Sequence, residues 1–285
     1  MAALRLPFVA ARQAMLRILT YNIWFSHHQL DRRMAAIAHA VATIEPHVVC
    51  FQEMTDIHFS ALRQHAAIQK FAWTDPPRGA RYYTLIGSTL PMSPPRREPF
   101  NNTGMDRDLL STTITPADGP PLHVATSHFE SLDFVRKRAK QIATAFESAP
   151  AAGDALVCGD TNVNEDLGRS FTSPGERVAL PSGWVDAWTT LRPGEAGATF
   201  DVDANRMVHR LDSWARTNRA RLRFDRFWTR LQPSGGRRLA AIEMVGTEPI
   251  SPEPAEEASR DARWWPSDHF GLLLTLDGGG GAVEL

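Results

Sequence analysis

The sequence predicts an α/β fold, a two-sheet sandwich with outer helices rather than one doubly wound sheet. Short apolar, β-branched runs recur and most end abruptly in a polar residue, the pattern of buried strands with functional groups at their ends. Segments of helical periodicity alternate with these runs in the first half. The second half, rich in Trp, Gly and Pro, reads as strands and long loops instead of regular βαβ units.

Taken in order, residues 16–21 form a strand that runs into Asn22. Leu30, Met34, Ile37, Val41 and Ile44 then recur at helical spacing until Pro46 stops the pattern. A strand at 48–51 runs into Gln52 and Glu53, and one at 122–126 into Ser127 and His128. Val135, Ala139, Ile142, Ala143 and Phe146 mark a second helix, followed by strands at 155–158, ending in Gly159 and Asp160, and at 222–224, ending in Asp225. The run 270–276 is the last strand, with His269 at its entrance. Residues 91–104 (Pro, Arg, Asn), 248–261 (acidic, with Pro and Ser) and 278–285 (Gly) read as poorly structured, the first two as binding loops or surface excursions and the third as a flexible tail.

At 285 residues, 43 % hydrophobic and 22 % charged, the chain reads as one catalytic domain over 1–277 with that Gly-rich tail. No apolar stretch reaches the roughly 20 residues of a membrane span, so a soluble, cytoplasmic protein is expected. Residues 1–17 hold three arginines and no acid; an extension of the first strand is preferred there over a transit segment. Cys50 and Cys158 sit inside apolar runs as small core residues, with neither a disulfide framework nor a zinc site indicated. A net charge of -1 argues against indiscriminate coating of nucleic acid, so an anionic substrate must be held by local positive charge. Arg206, Arg210, Arg216, Arg219, Arg221, Arg223, Arg226 and Arg230 supply such a cluster, either to guide a nucleic-acid backbone or as a solvated face paired with the acids Glu253, Glu256, Glu257 and Asp261.

The residues able to do chemistry lie at the strand ends. An Asn at a strand end such as Asn22 is more often a turn former than a metal or phosphate contact, and a lone rim carboxylate such as Glu53 is as often structural or solvated. Hard Mg²⁺, or Mn²⁺ in its place, keeps several waters and is satisfied by one firm carboxylate, here Glu53 with Asn22 beside it. Gly159-Asp160-Thr161-Asn162 is either an Asx turn or a pair in which Asp160 orients or deprotonates water and Asn162 donates to phosphate. Ser267-Asp268-His269 places an imidazolium where phosphate charge develops, with Asp268 in the catalytic set and Asp225 available to keep His269 protonated. His128 is a second phosphate donor; Ser131 either helps it or caps the next helix. Together the five motifs are what metal-assisted phosphoryl hydrolysis requires.

This ordered set, from Thr20-Tyr21-Asn22 to Ser267-Asp268-His269, resembles the endonuclease/exonuclease/phosphatase superfamily, which includes DNase I and the abasic-site endonucleases. The resemblance implies a DNase I-like four-layer α/β sandwich, two central mixed sheets flanked by helices, with the active site at one edge. Gly159-Asp160-Thr161-Asn162, Ser127-His128-Phe129-Glu130-Ser131, Met105-Asp106-Arg107-Asp108-Leu109-Leu110 and Ser267-Asp268-His269-Phe270-Gly271-Leu272-Leu273 are similar to the second-type tyrosyl-DNA phosphodiesterases. That likeness implies metal contacts from Glu53 and Asn22 and water activation by Asp160. It also implies phosphate contacts from Asn162, His128, Ser131 and His269, and a further substrate contact from Arg107. Thr199-Phe200-Asp201 stands where that family usually has Thr-Trp-Asp, with Asn205 following, so Phe200 is expected to stack on a base with a smaller ring. The implied function is Mg²⁺-dependent hydrolysis of a phosphodiester at DNA 5′ ends by in-line attack of an activated water. The alternative is a same-fold nuclease or phosphatase acting on RNA, nucleotides or a phosphorylated small molecule. The partner expected is a DNA end, with neither a membrane nor an obligate protein partner.

Overall fold

In the computed structural model, which describes residues 15–164, 176–252 and 262–278, the chain begins β1 (Met15–Asn22), α1 (Leu30–Ile44), β2 (Val48–Met54), α2 (Asp56–Leu62), α3 (Ala66–Gln69), β3 (Ala72–Trp73) and β4 (Tyr83–Ser88). It continues β5 (Arg96–Pro99), β6 (Asp108–Ile114), β7 (Leu122–His128), α4 (Val135–Glu147), β8 (Asp154–Asp160), β9 (Val185–Asp186) and α5 (Ala187–Leu191). It ends β10 (Phe200–Asp201), α6 (Arg206–Leu211), α7 (Ser213–Asn218), β11 (Arg221–Leu222), β12 (Asp225–Arg230), β13 (Arg238–Val245) and β14 (Gly271–Asp277). Two six-stranded sheets run β13-β14-β1-β2-β4-β3 and β5-β6-β7-β8-β12-β9. Both are mixed, with the parallel pairs β1/β2 and β7/β8 near their centres and the other neighbours antiparallel. A ribbon of β10 and β11 stands apart.

Because successive side chains on a strand point to opposite faces, each strand feeds two layers. Leu16, Ile18, Val48, Cys50, Val124, Leu156, Cys158, Phe227, Leu272 and Leu274 meet between the sheets. Leu19, Tyr21, Val49 and Phe51 face outward onto Met34, Ile37 and Val41 of α1 and Leu62 of α2. Ala125, Ala155, Val157 and Trp228 face outward onto Ile142 and Phe146 of α4. The result is the expected helix, sheet, sheet, helix sandwich, and the free thiols of Cys50 and Cys158 sit in its inner layer.

Two sequence expectations are corrected. Residues 96–99, inside the stretch read as poorly structured, pair antiparallel with β6, and Met92 bridges Ile114; that edge strand is specified by a partner distant in sequence, not by its own composition. Residues 222–224 are not the buried strand: Leu222 belongs to the short β11, and the long strand starts at Asp225, so Asp225 opens a strand instead of closing one. The tail 279–285, residues 1–14 and residues 253–261, with the acids Glu253, Glu256, Glu257 and Asp261, lie outside the described residues. No helix among the described residues is long and apolar enough to cross a membrane.

Candidate active site

Strand parity aims the polar strand ends at one another. Asn22 shares its parity with Leu16 and Ile18, His128 with Val124, Asp160 with Leu156 and Cys158, and Asp225 with Phe227, so all four side chains point into the inter-sheet layer. They do so at the same end of the sandwich: His128 and Asp225 both stand opposite Asp160 in the ladder. Glu53 has the wrong parity. A register shift between Phe51 and Met54, with Glu53 in the left-handed region at φ 60°, turns its carboxylate into the site. Asn162 is likewise left-handed at φ 49°.

The polar groups interlock. Asn22 Nδ2 donates to Asp160 Oδ2 (2.9 Å) and Glu53 Oε1 (3.2 Å). The Phe25 N–H donates to Glu53 Oε2 (3.0 Å), and the Asn162 N–H to Asp160 Oδ1 (3.0 Å). Arg107 Nη1 donates to His128 Nδ1 (2.8 Å). A guanidinium has no acceptor to offer, so Nδ1 must be the unprotonated nitrogen, and Nε2–H faces Asp160 Oδ2 at 3.2 Å. His269 is built oppositely, with Nδ1 2.8 Å from Asp225 Oδ2 and Nε2 3.8 Å from Asp160 Oδ2.

These surroundings set two histidines to opposite charge states. Burial, then Arg107 and His269, hold His128 well below the ordinary imidazole value. Burial would lower His269 too, but the carboxylates of Asp225, Asp160 and Asp268 and the Asp225 hydrogen bond outweigh it, so its value rises well above the ordinary one. The acids are pushed upward chiefly by burial: Glu53 to about 7, with Asp268 adding repulsion, and Asp160 to about 6, with Asp225 adding repulsion against the relief from His269. Asp268 is raised by burial as well.

A divalent cation fits this donor set. Ligand atoms of Glu53, His128 and Asp160 lie within 4.8 Å of one another. The lone pair of His128 is already spent on Arg107, so the ion would be held by oxygen from the carboxylates, as a hard cation prefers. An excess of buried carboxylates over cationic side chains is the electrostatic condition such an ion relieves.

A cleft of about 670 Å³ opens over these groups, and Ser131, Arg107, Asn162, Phe200 and Phe224 reach it. Ser131 does not cap α4, which begins after Phe134; its hydroxyl meets Met105 Sδ at 3.1 Å. Arg107 is held by a turn in which Glu130 accepts from Thr103 Oγ1 (2.9 Å) and the Gly104 N–H (2.7 Å), and the Thr103 hydroxyl accepts from the Arg107 N–H (2.9 Å). Arg107 Nε is buried and finds no hydrogen-bond partner among the described residues. Phe200 is 6 % exposed and packs on His269 and Phe224, with ring centroids 5.3 and 5.7 Å away. Asn205 stands behind the site, capping α6 and donating from Nδ2 to the Ser267 carbonyl (2.8 Å).

Tyr82 carries no signal in the sequence; its ring stacks on Phe25 (5.3 Å) under the Arg107 guanidinium (5.0 Å). The arginine cluster divides. Arg223 and Arg226 are buried on Asp186 at 2.8 and 3.3 Å, while Arg216, Arg219 and Arg221 are exposed. Arg226 Nε also reaches Thr161 Oγ1 (3.2 Å), behind Asp160.

The model of the endonuclease/exonuclease/phosphatase family matches residues 19–269. The chain is similar to tyrosyl-DNA phosphodiesterase 2 of Homo sapiens, 27 % identical over 93 % of this chain and 68 % of that one. It is also similar to the 5′-tyrosyl-DNA phosphodiesterase of Caenorhabditis elegans, 23 % identical over 91 % of this chain and 66 % of that one. It spans about two thirds of these relatives' length. Among solved structures, D. rerio TDP2 complexed with a single-strand DNA product superimposes with a TM-score of 0.72 at 23 % identity, covering 93 % of this chain and 99 % of that one. TDP2 from C. elegans gives 0.71 at 22 %, over 93 % and 75 %. Both show a shared fold.

Proposed function

The chain belongs to the endonuclease/exonuclease/phosphatase family, which is metal-dependent, and from that premise we propose that it hydrolyses a phosphodiester at DNA 5′ ends, the ester of a tyrosyl group being the preferred substrate. The observation that carries the reading is the opposed pair of histidines about Asp160: a neutral His128 and a charged His269 in one cleft with Glu53 and Asn22.

In this reading Glu53, with Asn22 beside it, holds Mg²⁺ or Mn²⁺. A bound divalent cation supplies charge neutralisation and polarisation of phosphate oxygens. Asp160 and Asn162 hold the attacking water, and Asp160 takes its proton, a task suited by a carboxyl pushed up to about 6. His269, fixed through Nδ1 by Asp225, donates from Nε2 to a phosphate oxygen whose charge grows in the transition state. Arg107, His128 and Ser131 complete the phosphate side. The Phe25 and Tyr82 rings beside Arg107 form a flat wall that suits an aryl leaving group better than a sugar.

A panel of 5′-tyrosyl, 5′-phosphate, abasic and RNA oligonucleotides tests this. Chelator-reversible cleavage fastest on the tyrosyl ester is expected. A rate tenfold higher on abasic or RNA substrate would move the protein to the alternative reading.

A further inference from the structure

Arg33, in the first turn of α1, is fully buried although its guanidinium keeps its proton inside proteins. Burying such a charge is costly unless its donors are met, and here they are met by backbone carbonyls of a single turn. Nε donates to the His28 carbonyl (3.0 Å), Nη1 to those of Ile23 and Trp24 (3.2 Å each), and Nη2 to those of Trp24 (2.8 Å) and Ser26 (2.9 Å). The Trp24 ring lies against the guanidinium at 4.7 Å. Five bonds from one rigid fork fix a turn in which Trp24 adopts the left-handed φ of 58°. His58 adds a brace, with Nε2 3.0 Å from the Ser26 carbonyl.

The turn so fixed faces the site. Its Trp24 N–H donates to Asn22 Oδ1 (3.0 Å) and its Phe25 N–H to Glu53 Oε2 (3.0 Å). Asn22 Oδ1 is thereby committed to the backbone, so Asn22 Nδ2 is left to face Glu53 and Asp160. Both proposed metal-side residues thus take their orientation from amides that Arg33 holds in place.

We propose that Arg33 is a positioning residue for the divalent cation: by clamping residues 23–28 it presents the Trp24 and Phe25 amides to Asn22 and Glu53 and so sets metal affinity. This rests on the reading of Glu53 and Asn22 as the metal side, so the test separates the two claims. Mn²⁺ is titrated into the metal-free full chain and free Mn²⁺ is followed by electron paramagnetic resonance, for wild type, R33K, R33M and E53Q. Loss of a supporting partner of a metal ligand typically costs about 10- to 100-fold in affinity. R33K keeps the positive charge but loses the fork, and is expected to raise the Mn²⁺ Kd about tenfold while kcat at saturating metal stays within about threefold. A role confined to stability would lower Tm and leave the Kd of the folded protein unchanged. R33K within twofold of the wild-type Kd overturns the proposal, and R33M, if folded, must agree; should R33M not fold, R33K decides alone. If E53Q also binds Mn²⁺ as wild type does, the metal-side reading itself fails and takes the Arg33 proposal with it.

Discussion

Asp225→Asn changes one buried oxygen and probes how His269 is kept charged. Asp225 Oδ2 is 2.8 Å from His269 Nδ1, its other oxygen has no hydrogen-bond partner among the described residues, and both residues are buried. A pair of opposite charges about 4 Å apart at an effective dielectric near 20 attracts by about 4 kcal/mol. Asp225 is the first among the groups that outweigh burial in holding His269 protonated, so the neutral amide lets burial dominate and the imidazole titrates at lower pH. The sign follows: the variant gives up its His269 imidazolium at a lower pH than wild type does. A preorganised donor of this kind is worth about 100- to 1000-fold in rate, and that is the loss expected in kcat. Rates on a 5′-tyrosyl oligonucleotide across pH 5.5–9 would also show the basic limb of kcat/KM shifted to lower pH. Native rates with an unshifted limb would refute the reasoning, because His269 would then not need its charge.

Metal affinity should depend on pH, since Glu53, pushed up to about 7 chiefly by burial, must be ionised to hold a cation. The apparent Mn²⁺ Kd is expected to rise by about tenfold per pH unit as pH falls below 7 and to level off on the alkaline side; a flat profile from pH 5.5 to 8 contradicts this. Asp186→Asn keeps a side chain able to cap α5 but leaves Arg223 and Arg226 buried against a neutral partner, so a loss of about 3 to 5 kcal/mol and a Tm lower by on the order of 10 °C are expected in a thermal melt. Gly159→Ala puts a Cβ 2.0 Å from the Ser127 carbonyl oxygen at φ 131°, and soluble, cooperatively folded protein should not be recovered.

What was legible in the sequence and what was not divide along physical lines. Strands ending in Asn22, His128 and Asp160 are visible because apolar runs stop at a polar residue, and parity alone then aims those side chains into the inner layer. Helix α1 is visible because its apolar period is uninterrupted up to Pro46. Glu53 is legible by residue type, but the bulge that aims it depends on the pairing of β2 with β4, which no local pattern in either segment encodes. Asp225 is legible as an acid at a strand end, though it stands at the opposite end of its strand. The contrasting charge states of His128 and His269 arise from Arg107 and Asp225, distant in sequence, and no local pattern encodes them. Arg33 falls on the buried face of α1 with Met34, Ile37 and Val41, but that its guanidinium binds residues 23–28 follows only from the path of that turn.

The central claim is that Glu53 and Asp160 serve one metal-dependent hydrolytic centre, and single-turnover cleavage of a 5′-tyrosyl oligonucleotide tests it most directly. Chelated wild-type protein should be inactive and regain its rate on adding Mg²⁺, while E53Q and D160N fall by at least about 100-fold with Tm preserved. Cleavage that survives chelation, or either variant within tenfold of wild type, would contradict it.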